Sequence, residues 1–139
     1  MRGVATEVAL STTDGMPQDS VANAFDVVDA AADVILIHDA ARPFASADLV
    51  ARTIDAALES GAALAAVRAS DTVKRSAPGG ESSRAFVFDT VPRDTVYLAQ
   101  TPQAFRRHVL RDALALSEAG ADATDEASLA ERAGHLVRL

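Results

Sequence analysis

An aspartate and an arginine three residues apart, Asp39 and Arg42, are the side chains best equipped for chemistry in this 139-residue chain. They follow an unbroken apolar run, Val34-Ile35-Leu36-Ile37, and His38, and the stretch closes in Pro43 and Phe44. Four branched apolar residues in a row read as a strand buried on both faces, as in a parallel sheet. In an open α/β sheet, ligands bind in the crevice beyond the carboxyl ends of the strands. A carboxylate delivered there can hold a metal ion, and a guanidinium can grip a phosphate through two parallel hydrogen bonds. His38 is assigned to orienting the loop. His108 and His135 have no partner spacing and receive no role, and Lys74 and Arg75 read as a solvated surface.

The elements that must position this pair alternate between two periods. Val4 to Leu10 alternates as a short strand, and Thr12 to Asp19 is a loop rich in Asp, Gly and Pro. Ser20 to Ala31 places Val21, Ala24, Phe25 and Val28 on one helical face. After the Asp39–Pro43 turn, Ser46 is the natural N-cap of a helix running to Ser60, with Gly61 at its end and Ala62 to Val67 as the next buried strand. Strand, helix, strand at this spacing predicts parallel pairing with right-handed crossovers. Ser70 to Asp94 predicts two strands and a flexible tip, an arm projecting from the main sheet, whose apolar Phe86–Phe88 edge calls for a second copy of the chain to cover it. Then come a short strand at Tyr97–Gln100, a helix from Ala104 to Ala119 ended by Gly120, a helix from Asp125 to Ala133, and a last strand at His135–Leu139.

Composition bounds the function. The length suits one domain with a real core. A net charge of −7 without a basic run argues against a nucleic-acid backbone as partner. Cysteine is absent, which excludes disulfides and thiolate metal sites. No apolar run reaches the length of a membrane span and no signal peptide is recognisable, so the expected location is the cytoplasm.

Five stretches carry a family resemblance: Asp19-Ser20-Val21, His38-Asp39-Ala40-Ala41-Arg42-Pro43, Asp71-Thr72-Val73-Lys74-Arg75, Thr101-Pro102-Gln103-Ala104-Phe105 and Thr124-Asp125-Glu126-Ala127-Ser128. In this order and spacing the chain resembles, from about Val4 to Leu139, the methylerythritol phosphate cytidylyltransferases of non-mevalonate isoprenoid synthesis. The resemblance implies a Rossmann-like nucleotidyltransferase fold, helices on both faces of the sheet, and a homodimer in which each β-arm reaches the neighbour's site. It implies CTP and methylerythritol phosphate as substrates and a divalent cation, magnesium, as cofactor. Position by position, Asp39 resembles the carboxylate that holds the magnesium. Ser20, Asp39 and Ala40 match positions lining the nucleotide. Arg42, Thr101 and Thr124 match positions that bind the sugar phosphate, while Thr72 and Arg93 match arm residues acting on the partner's substrate, Arg93 in a catalytic role.

Each residue also has a plain local reading. Asp39 is a turn former, Arg42 a surface ion pair, Thr101 the extended residue before a proline, and Ser20 and Thr124 helix caps. Against the family pattern, the glycine-rich CTP loop with its basic residues and a late Lys and Asp are missing, and Pro17 stands where an Arg usually precedes Asp-Ser-Val. The expectation is therefore a single partial domain, residues 1–139 with 70–94 as the arm, lacking its nucleotide-binding strand–loop–helix and inactive alone. Two alternatives stay open: a pentitol phosphate cytidylyltransferase, and a non-catalytic dimerising remnant.

Overall fold

The computed structural model describes residues 17–77, 85–121 and 123–139. The strand expected at Val4–Leu10, most of the Thr12–Asp19 loop and the tip of the arm lie outside the described residues. Helix α1 (Pro17–Val27) opens on a proline, whose missing N–H costs nothing in a first turn. It stops short of the expected Ala31 because Asp29 folds the chain into a turn, its carboxylate accepting from the Ala31 amide at 2.9 Å. Strand β1 (Val34–Ile37) leads through the Asp39 turn to helix α2 (Ala47–Ser60). Ser46 caps α2 as expected, its side chain accepting from the Leu49 amide, and Gly61 ends it at φ 96°, a conformation that favours glycine.

Strands β2 (Ala62–Arg68), β5 (Tyr97–Arg106) and β6 (Val137–Arg138) join β1 in a four-stranded sheet of order β1-β5-β2-β6. The expected direct parallel pairing of β1 and β2 is not what forms. Strand β5 lies between them and is antiparallel to both, from Val34↔Arg106 on one side and Ala62↔Phe105 on the other. β1 and β2 run in the same sense only because each opposes β5, and the parallel pair is β2–β6. Residues that pair across 60 or more positions leave no local trace in sequence, whereas consecutive strands suggest pairing by default.

A second correction concerns Thr101–Arg106, expected as a loop followed by the first turn of a helix. It is strand, and helix α3 (Arg107–Glu118) begins only afterwards. Helix propensity at Ala104 and Phe105 is overridden by tertiary pairing: Phe105 and Ala104 fill opposite faces at the centre of the sheet. The guanidinium of Arg107 donates to the carbonyls of Val28, Asp29 and Ala32, tying the start of α3 to the end of α1. Between Leu64 and Ala66 the β2–β5 register shifts, opposite Thr101 and Pro102, where a proline without an N–H can sit in a sheet only at an irregularity. The Thr101–Pro102 peptide is cis.

Helices cover both faces. Val34, Leu36, Ala63 and Ala104 meet Ala56 and Ala57 of α2. On the other face Ile35, Ile37, Leu64 and Phe105 meet Val109, Leu110 and Leu114 of α3, Leu129 and Ala130 of helix α4 (Glu126–Arg132), and Val21 and Phe25 of α1. The arm is a separate two-stranded sheet, β3 (Val73–Ser76) against β4 (Val87–Val91), antiparallel from Val73↔Val91. Phe86, Val87 and Phe88 are exposed along it.

Candidate active site

A four-residue turn builds the site's first wall. The Arg42 amide donates to the Asp39 carbonyl at 2.9 Å, and Asp is a favoured first residue for such a turn. The Arg42 carbonyl in turn lies 2.8 Å from His38 Nε2. A carbonyl only accepts, so His38 carries its proton on Nε2 and clamps the loop, the orienting role expected of it. This places Arg42 Nε 3.3 Å from Asp39 Oδ2, while Arg42 Nη1 donates to Gln100 Oε1 on β5. Both side chains of the ion pair are about half exposed, at 46% and 57%, so the pair contributes at most about 1 kcal/mol to folding. A guanidinium carries five donors, and those not used by Asp39 and Gln100 remain for a ligand.

The second wall is strand β5. The Asp39 amide donates to Thr101 Oγ1 at 3.2 Å, joining the turn to the residue before the proline. The third wall is the start of α4. Thr124 is not its cap, as expected from sequence. Asp125 is: its side chain accepts from the Ser128 amide at 2.9 Å. The shift by one residue leaves Thr124 outside the helix, with its hydroxyl 3.3 Å from Ser128 Oγ.

These walls enclose a cavity of about 430 Å³ lined by Asp39, Arg42, Thr101 and Thr124, residues from three separate stretches of chain that sequence reasoning had singled out. Gln100, Gln103, Asp125 and Glu126 line it too and were not anticipated as site residues. Ser20 lies in α1, Ala40 within the Asp39 turn, and Thr72 and Arg93 at the foot of the arm, where Arg93 Nη1 donates to the Ser70 carbonyl at 3.0 Å. None of these four is among the lining residues.

Glu126 is the unusual member. It is 8% exposed, and its carboxyl is held above the ordinary glutamate range. Burial is the main cause, with the negative charges of Asp125 and Asp39 adding to it and its own backbone hydrogen bond opposing it. A sequence signal for this existed, since Glu126, Leu129 and Ala130 share one helical face and the latter two are core.

Among the described residues no group of three or more His, Cys, Asp or Glu side chains is placed to cage a metal. Asp39, about half exposed and lining the cavity, is a carboxylate of the kind magnesium takes. That ion keeps several waters and is commonly held by one or two carboxylates together with substrate phosphates.

A mixed sheet layered between helices, with its cavity where β1 ends, is an α/β domain of the nucleotidyltransferase type found in the solved structures it superposes on. The sequence matches the family model of 2-C-methyl-D-erythritol 4-phosphate cytidylyltransferase over residues 5–139, and the chain belongs to that family. It is 54% identical over 122 residues to a bifunctional IspD/IspF enzyme of Anaeromyxobacter dehalogenans, covering 87% of this chain and 31% of that protein. Against the 2-C-methyl-D-erythritol 4-phosphate cytidylyltransferase of Acidobacterium capsulatum it is 47% identical over 125 residues, covering 86% of this chain and 50% of the other. The crystal structure of the Thermus thermophilus cytidylyltransferase superposes with a TM-score of 0.73 at 38% identity, covering 88% of this chain and 57% of that one. The chain thus spans 31% to 57% of the length of these relatives.

Proposed function

We propose that this chain forms the sugar-phosphate half of a cytidylyltransferase that joins CTP to 2-C-methyl-D-erythritol 4-phosphate, giving 4-diphosphocytidyl-2-C-methyl-D-erythritol and pyrophosphate in isoprenoid precursor synthesis. The observation that carries it is the convergence of Asp39, Arg42, Thr101 and Thr124 on one cavity, in a chain of this family. A phosphate oxygen of the polyol phosphate attacks the α-phosphorus of CTP. The new P–O bond forms as the α–β phosphoanhydride bond breaks, and the electron pair leaves with pyrophosphate.

Such a transfer needs positioning and charge neutralisation more than covalent help. Arg42 grips the attacking phosphate, steadied by Asp39 and Gln100 through the rest of its fork. Thr101 donates to a phosphate oxygen, and Thr124 meets the polyol. Asp39 would hold a magnesium ion, which would supply charge neutralisation for the nucleotide phosphates. Ala40 and Ser20 face the nucleotide. Thr72 and Arg93, on an arm docked against a second copy, serve the partner's substrate, so that the working unit is a homodimer in the cytoplasm. No described helix is long and apolar enough to cross a membrane.

The test is pyrophosphate release by the full-length gene product with magnesium, CTP and methylerythritol phosphate. Asp39→Asn is expected to lower kcat by about a hundredfold or more, the scale of losing one transition-state electrostatic group. A rate unchanged by that substitution, or release triggered only by a pentitol phosphate, contradicts the assignment.

A further inference from the structure

The two ends of the cavity differ in the direction of their hydroxyl protons. At the β1 end Thr101 Oγ1 accepts the Asp39 amide at 3.2 Å, so its own proton is left for a ligand acceptor beside Arg42. At the α4 end the order is reversed. Ser128 has one hydroxyl proton, and it goes to Asp125 Oδ1 at 2.5 Å, because an ionised carboxylate accepts and cannot donate. The 3.3 Å contact between Thr124 and Ser128 must then be filled by the proton of Thr124. Thr124 is left with lone pairs to offer the cavity.

Asp125 is held from β5 by Gln103, which is 4% exposed. Its Nε2 donates to Asp125 Oδ2 at 3.0 Å. The amide cannot be turned round, since its oxygen and the carboxylate would both be acceptors. Its Oε1 is consequently buried without a partner, a cost that a purely structural position has no reason to carry. Asp125 therefore takes one donor from β5 and two from Ser128, the amide and the hydroxyl.

We propose that Gln103 is a positioning residue which, through Asp125 and Ser128, turns Thr124 into a hydrogen-bond acceptor. The α4 end of the cavity then selects the hydroxyl-bearing part of a phosphorylated polyol, while the Arg42–Thr101 end takes its phosphate. This rests on the cytidylyltransferase reading and adds to it the residues that set which way the substrate lies.

The experiment compares Gln103→Leu, Ser128→Ala and Ser128→Thr in the full-length gene product, measuring KM for methylerythritol phosphate and for CTP separately. Gln103→Leu keeps the volume and removes the unpaired acceptor. Ser128→Ala keeps the amide that caps α4, so neither substitution takes away what folds the helix. Both are expected to raise KM for the polyol phosphate about tenfold, with KM for CTP moving less than about twofold. Ser128→Thr, which restores the hydroxyl, is expected to recover most of the loss. An unchanged KM for the polyol phosphate overturns the proposal, as does an equal rise for both substrates, which marks general damage. A wild-type protein that turns over no polyol phosphate removes the functional reading, and this proposal with it.

Discussion

At the scale of single residues, Glu126 shows how the site strains against folding. Its carboxyl is held above the ordinary value of 4.5 by burial and by neighbouring negative charge, so the folded protein favours the protonated form. Its contribution to stability is full below the unfolded value and is lost as the pH rises through the folded one. Glu126→Gln is therefore expected to raise the thermal midpoint at neutral pH, with the gain vanishing below pH 4.5, as scanning calorimetry at the two ends would record. Asp39 and Arg42 were legible in sequence because a four-residue turn keeps neighbours in sequence neighbours in space. Gln103 was not, because it read as the loop before a helix and its partner, Asp125, comes from a different element. Glu126 could have been found by its spacing to Leu129 and Ala130, which carries an acid onto an apolar helical stripe, although its place in the first turn of α4 also suits the helix dipole.

At the scale of elements, helix α2 is where sequence and structure agree most closely. Its cap, its end at Gly61 and its apolar face were all written locally, in residues within one turn of each other. Ser46→Ala is expected to cost about 1 kcal/mol in urea unfolding at unchanged slope, because one orphan amide at Leu49 loses its acceptor. The cap of α4 was misplaced by one residue, since Thr124 and Asp125 are both competent N-caps in isolation and the Ser128 hydroxyl and Gln103 amide add to the aspartate's side. Strand β5 was the largest misreading. Its alternation of Ala104 and Phe105 between two faces has meaning only when strands lie on both sides of it, and those strands are distant in sequence.

At the scale of the whole molecule, the arm leaves apolar surface uncovered. Phe86 is 82% and Phe88 66% exposed on a two-stranded sheet that the main core does not touch through β3–β4 pairing. Surface of this kind on a strand is a pairing hazard unless something covers it. The proposed homodimer predicts that Phe88→Glu sediments as a monomer while the thermal transition of the main sheet stays in place. A wild-type monomer at every accessible concentration contradicts the covered arm. The strand order carries a separate consequence for how the protein is made. β1 and β2 leave the ribosome before β5, the strand that holds them together, and Val34 waits for Arg106 across more than half of these residues. Contacts of such separation are slow to close, because the loop entropy is lost before the pairing returns it. Until β5 arrives there is no central Phe105, no Thr101 beside Asp39 and no Gln103 to hold Asp125. Core and cavity therefore both wait on β5, and a nascent chain halted ahead of Tyr97 holds neither.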